Sequence, residues 1–313
     1  MQHIAETMGL FTVFSNKEAT FFIKVKAVIN IVGMTYFAVM ITLSITLALF
    51  ISIPKLAATV DFSTTKHYLI TLYLGMNTIG NYLLTVFTDT STKTLSVKPS
   101  KSSTGKRTHR KGTKGKGKTN HVHFAQTDTV IKPWRAYDCL LCNSCILKRD
   151  HHCFFVGYCI GYHNQKYFIQ CCAYITCGCF YSLILTTLYL HVNYETQFHG
   201  AWTFLYLLPL TGIQWLQGIS PFGEVCMVVY LYICLTGGIV AIAFFLWESH
   251  ITFHGLTTYE AMHGINVLGP KRGSVWENFV DVFGRYWYLG WILPIQLPQC
   301  GNGVYTQYAA KRH

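Results

Sequence analysis

Four stretches of this 313-residue chain are apolar almost from end to end: Ile29 to Ile53, Tyr68 to Phe87, Tyr167 to Leu190 and Val225 to Trp247. A helix of about 20 such residues crosses the ~30 Å hydrocarbon core of a bilayer. In that core every backbone N–H and C=O needs a partner within the protein, so separate apolar runs of this length fold as helices. The expected fold is an all-α polytopic membrane protein with four transmembrane helices. Composition agrees: 51% of residues are hydrophobic and only 12% charged, against about 25% charged in a soluble domain. Pro54 is expected to end the first span, and Asn77 and Asn81 in the second should face other helices rather than lipid.

Charge assigns sides. Of the 25 Lys and Arg, 15 lie between Asp89 and Lys166, and none lies between Tyr167 and Glu248. Basic residues collect on the cytosolic side, so the segment between spans two and three should be cytosolic and the stretch from His191 to Glu224 lumenal. A fifth apolar run, Ala201 to Leu216, is short and contains Pro209. For the region after Trp247 to be cytosolic as well, this run has to re-enter or lie in the interface.

Residues 89–131 include SVKPSKSSTGKRTHRKGTKGKGKTN, which has Lys, Ser, Thr and Gly but almost nothing apolar. Such a segment cannot bury enough surface to fold and reads as a basic disordered tether. Anionic lipids of the cytosolic leaflet can attract it. No aromatic stacking residues are interleaved with the charges, so no nucleic-acid partner is expected.

Between that tether and the third span, residues 132–168 read KPWRAYDCLLCNSCILKRDHHCFFVGYCIGYHNQKYF. Cysteine at this density means disulfides, a metal or a catalytic thiol. Cys-x2-Cys with further Cys and His close behind favours zinc, and Cys139, Cys142, His152 and Cys159 supply four ligands. Asp150, His151 and Cys153 then remain, an acid, a base and a thiol in the pattern of an activated thiolate nucleophile. The cysteines of the third span (Cys171, Cys172, Cys177, Cys179) read as small packing residues.

Asp150-His151-His152-Cys153, preceded by Cys-x2-Cys-x2-Cys and followed by Cys159-Ile160-Gly161 and Asn164, resembles the cysteine-rich domain of DHHC-type protein S-acyltransferases. Thr257-Thr258-Tyr259-Glu260 resembles that family's Thr-Thr-x-Glu motif, and Asn278 with Phe283-Gly284 resembles a third, weaker one. His254-Gly255 before the second motif resembles one divergent branch, numbered twenty-four. The resemblance implies a two-step reaction. Cys153 takes a palmitoyl group from palmitoyl-CoA, with His151 as base and Asp150 orienting it, and passes the group to membrane-proximal cysteines of substrate proteins. It implies that Thr258 hydrogen-bonds Asp150. Lys132, Arg135, Lys148 and Arg149 become candidates for the CoA phosphates.

The family's usual two zinc sites are not both matched. The upstream Cys pair is replaced by Ala125 and Asp128, and the His before Cys139 by Asp138. One zinc is therefore expected, with Cys145 a free or buried thiol; a substitute site from Asp128, Asp138, Cys145 and His121 or His123 is the alternative. After the motif the chain has Phe154-Phe155 and Gly157 where most members have Pro-Trp and an Asn.

The fatty tail needs an apolar volume beside Cys153. Gly178 lies about 17 Å into the third span, the depth of a 16-carbon tail, and is expected to leave the floor of the acyl cavity open. The expected layout is residues 1–88 with spans one and two, tether 89–131, cysteine-rich domain 132–166, spans three and four in 167–248, and a cytosolic C-terminal region 249–313. The resemblance suggests an endomembrane, Golgi or ER. The alternative is a catalytically weak membrane adaptor. A channel or transporter is disfavoured, because the spans hold almost no ionisable residues.

Overall fold

The computed structural model describes residues 21–59, 61, 63–92, 133–265, 273–301 and 303. Its mostly helical architecture carries four helical segments long and apolar enough to cross a membrane: Lys24–Ala57, Thr64–Phe87, Gln165–Tyr194 and Phe222–Phe253. The first is composite. Helix α1 (Phe21–Leu47) passes through a π-helical turn, Ala48–Ser52, into α2 (Ile53–Ala57). Pro54 does not end it as expected: it sits in the first turn of α2, where its missing N–H costs little, and the wider turn just upstream absorbs the lost hydrogen bond.

Helices α3 (Thr64–Phe87), α4 (Gln165–Tyr194) and α6 (Phe222–Phe253) form the tightest part of the bundle. Asn77 and Asn81 of α3 are fully buried, each donating to the carbonyl one turn back. Helix α5 (Thr203–Leu216) has 14 residues, about 21 Å, too short to span. It packs Leu207 against Met227 and Leu231 of α6, while Trp202, Leu205 and Leu216 stay exposed.

The cysteine-rich segment lies between spans two and three as two short antiparallel hairpins. Strands β1 (Tyr137–Cys139) and β2 (Ser144–Ile146) pair Asp138 with Cys145; β3 (His151–Cys153) and β4 (Tyr158–Ile160) pair His152 with Cys159. Their turns use left-handed backbone, at Gly157 most tightly: φ is 71°, and Met34 of α1 occupies the space a side chain would need. Asn164 joins this segment to the bundle. Its Oδ1 accepts from Gly161 N–H, and its Nδ2 donates to the Thr85 and Cys159 carbonyls.

Residues 89–92, which composition assigned to the tether, belong to the described fold. Thr90 and Ser91 are buried, Leu147 N–H donates to the Thr90 carbonyl, and Ser91 bridges to Ile146. Residues from 93 to 132, including Lys132, Asp128, His121 and His123, lie outside the described residues.

Beyond α6, α7 (Thr258–Met262) and α8 (Val275–Phe283) each start with a capping box, Thr257 with Glu260 and Ser274 with Glu277. Helix α9 (Trp287–Ile292) follows. One side of this aromatic region packs on the bundle, with Phe283, Val282, Trp287 and Trp291 around Ile169 and Phe245. Trp276, Tyr286 and Tyr288 remain exposed, so both packing and an exposed aromatic surface are present.

Candidate active site and metal centre

The two hairpins bring Cys139, Cys142, His152 and Cys159 together, with all four ligand atoms within 4.8 Å of one another. Nδ1 of His152 lies 3.6 Å from Cys139 Sγ, 3.3 Å from Cys142 Sγ and 3.7 Å from Cys159 Sγ. Tetrahedral zinc, with Zn–S near 2.3 Å and Zn–N near 2.0 Å, sets nitrogen and sulfur ligands about 3.5 Å apart. The donor set and its spacing fit a structural metal. Nε2 of His152 faces away from the sulfurs and meets the side chain of Asn30 on α1, a residue that no motif singles out. Cys145 is half-buried on β2, opposite Asp138, outside this cluster.

Asp150 is 1% exposed. Its Oδ2 accepts from His151 Nδ1 at 2.6 Å, and its Oδ1 accepts from the backbone N–H of Thr258, also at 2.6 Å. The contact expected of Thr258 thus runs through its main chain. Its hydroxyl instead donates to Glu248 and accepts from Trp247 Nε1. Burial alone raises the carboxyl of Asp150, but hydrogen bonds from His151 and Thr258 outweigh it and hold the group below the ordinary carboxylate range. Burial pushes His151 down; its bonds with Asp150 and Cys153 and the nearby carboxylate charges overcome that and lift it well above an ordinary imidazole. With Nδ1 taken, Nε2 is the ring nitrogen left for the Cys153 thiol.

Glu248 brings a second carboxyl group to this imidazole, 3.6 Å from His151 Nδ1. It reaches the site because α6 has 32 residues, about 48 Å, and so overruns a ~30 Å hydrocarbon core. A signal for it was present in the sequence: an acid at the end of an apolar span is rarely incidental.

A cavity of about 330 Å³ opens from Cys153 into the bundle. It is bounded by all four spans, with Phe37, Tyr82, Cys172 and Phe244 among its walls. Gly178 lines it too, and a side chain added there would meet no atom within 4 Å.

Two of the four candidate phosphate contacts need correction. Arg135 is buried and bidentate on Glu260, at 2.7 and 2.5 Å, and also donates to the Gly255 carbonyl. Lys148 is buried against Asp281 at 2.7 Å. A cation paired inside the protein is not offered to a phosphate. Arg149 is half-buried, donates to the Asp138 carbonyl and lies over the Tyr259 ring. Arg135→Ala is expected to cost about 3–5 kcal/mol of stability, because it strands the buried Glu260 charge. A thermal melt in detergent checks this; a raised KM for acyl-CoA with an unchanged melt would return Arg135 to the phosphate role.

A family model described as DHHC palmitoyltransferase matches residues 118–265. Palmitoyltransferase ZDHHC22 of Danio rerio is 37% identical over 175 residues, 56% of this chain and 63% of that protein. ZDHHC22 of Rattus norvegicus is 28% identical over 277 residues, covering 85% of this chain and 93% of the relative. Human ZDHHC3 is 30% identical over 184 residues, 57% of this chain and 54% of that protein. The chain carries a domain of the DHHC palmitoyltransferase family. Two of these relatives carry the number twenty-two, not the branch number that His254-Gly255 suggested.

Proposed function

We propose that this chain is a protein S-acyltransferase that moves a palmitoyl group from palmitoyl-CoA through Cys153 to cysteines of substrate proteins. The observation that carries the reading is the position of Cys153, with an acid-held imidazole on one side and the mouth of an apolar cavity on the other. The cavity takes the acyl tail out of water and sets the thioester carbonyl at the thiol. His151 Nε2 accepts the proton of Cys153, and the Asp150 carboxylate at Nδ1 stabilises the imidazolium. The thiolate attacks the carbonyl, the bond to CoA sulfur breaks, and the departing sulfur takes the proton back. A substrate cysteine then gives its proton to His151 and attacks the Cys153 thioester, which releases the acyl group. One thioester replaces another in each step.

Cys139, Cys142, His152 and Cys159 would hold zinc, which supplies folding free energy rather than chemistry. His152 and Cys153 are adjacent, so a metal fixing one also fixes the backbone of the other. Of the proposed phosphate contacts, Arg149 is the one among the described residues that is not committed to a buried ion pair, and Lys132 stays a candidate. The substrate side is cytosolic by the distribution of Lys and Arg, and the membrane is an endomembrane, Golgi or ER. Membrane-proximal cysteines suit a nucleophile at the cytosolic end of the bundle. Residues 132–166 act as the catalytic unit and 249–313 as its support, through Thr258 and Glu260.

Purified protein incubated with palmitoyl-CoA should acquire a hydroxylamine-sensitive acyl label and contain one zinc. A folded protein that acquires no label is the adaptor instead.

The depth of Gly178 makes a separate prediction. Gly178→Phe should fill the far end of the cavity and shift preference toward acyl-CoAs shorter than sixteen carbons, leaving the Asp150-His151-Cys153 geometry untouched. Autoacylation across C12 to C18 donors reads this, and an unchanged profile in folded protein would leave Gly178 as a packing residue only.

A further inference from the structure

His152 has two ring nitrogens, and the cysteine cluster uses one. Nδ1 faces the three sulfurs, while Nε2 lies 3.2 Å from Oδ1 and 3.0 Å from Nδ2 of Asn30. An imidazole that ligates a metal through Nδ1 carries its proton on Nε2, so the matching partner is the amide oxygen. Asn30 sits in an apolar helix whose neighbours Val28, Ile29, Ile31 and Val32 are exposed, yet it is itself 2% exposed. A buried amide in such a helix is costly unless it is hydrogen-bonded. The same helix face touches the same loop twice more: a side chain on Gly33 would meet the Phe154 carbonyl at 2.8 Å, and Met34 packs against Gly157.

We infer that Asn30 is a positioning residue of the metal centre. Its side-chain oxygen accepts the Nε2 proton of His152, fixes the ring plane and ties the first span to the strand that carries Cys153. This rests on the zinc reading above and adds a contact from outside the cysteine-rich segment, 122 residues away in sequence. Partners of this kind orient a ligand and slow its release of metal. Because Cys153 follows His152 directly, a ring held from the membrane side also anchors the loop between the nucleophile and the acyl cavity.

The test uses full-length protein in detergent, with zinc first counted and its loss to a chromogenic chelator then followed over time. A count of zero in the wild type overturns the zinc reading, and the proposal with it. With one zinc present, the Asn30 series decides the proposal alone. Asn30→Leu keeps the bulk and removes the acceptor, and should release zinc about 10- to 100-fold faster. Asn30→Asp keeps an acceptor and should release it no faster than wild type. If the Leu variant does not fold, Asn30→Ser, too short to reach the ring, replaces it in the comparison. Gly33→Ala disturbs the same docking face without touching the hydrogen bond and should accelerate release less than Asn30→Leu. Equal rates in wild type and Asn30→Leu would overturn the inference. So would an Asp variant as fast as Leu, or a Gly33→Ala variant that matches it.

Discussion

Cys153→Ser is expected to abolish acyl-enzyme formation while leaving the zinc content and the melting temperature unchanged. The substitution changes one atom in a buried side chain, so packing against Phe168 and Cys172 is nearly conserved. What changes is the nucleophile. A hydroxyl is far harder to ionise than a thiol near pKa 8.5, and His151 has to take a proton from it. The product would also be an oxygen ester, which resists hydroxylamine under conditions that cleave a thioester. The loss should therefore show as absence of hydroxylamine-sensitive label in a folded, zinc-loaded protein. Thioester label persisting at wild-type level in Cys153→Ser would remove Cys153 from the mechanism.

Cys142→Ala is expected to have the second large effect, on the fold itself. Cys142 Sγ makes the shortest of the three sulfur approaches to His152 Nδ1, at 3.3 Å. A structural zinc contributes on the order of 10 kcal/mol to folding of a small metal domain. The segment it would staple has two hairpins of three-residue strands and a small core around Ile146, Leu147 and Ile160. Losing one of four ligands should empty the site, loosen β1–β2 from β3–β4 and remove activity together with zinc. Protease resistance of residues 133–165, read beside the zinc count, checks this. A protease-resistant, active Cys142→Ala protein would mean that these hairpins stand without metal.

What the sequence disclosed depended on how far apart the interacting residues lie. The four spans announce themselves because lipid demands uninterrupted apolar helix. The cluster of Cys139, Cys142, His152 and Cys159 is legible because its ligands fall within about two dozen residues and in a spacing that metals impose. Gly178 could be singled out because depth along a helix follows from residue count, and the packing of the spans puts it on the cavity wall.

Asn30 carries no local signal, since it meets the hairpins only through the packing of a distant helix; Glu248 stands out as an acid at the end of an apolar span, but nothing near it announces His151. Arg135 and Lys148 looked like surface cations. Nothing near them in sequence announces Glu260 or Asp281, 125 and 133 residues away. Thr258 was placed beside Asp150 by motif, but the motif does not say that the main-chain N–H makes the contact. Thr90 and Ser91 looked like the start of a tether because their backbone pairing with Leu147 and Ile146 carries no side-chain signature.

The most direct measurement of the central claim is to map the acyl group on the wild-type enzyme. The chain has 12 cysteines, and several, including Cys171, Cys172 and Cys179, line the same cavity as Cys153. Brief incubation with palmitoyl-CoA, acid quench and peptide mass analysis should find one palmitoyl thioester, on the peptide carrying Cys153, that disappears on chase with a substrate thiol. An adduct confined to another cysteine, or a Cys153 adduct that no acceptor thiol can discharge, would contradict transfer through Cys153.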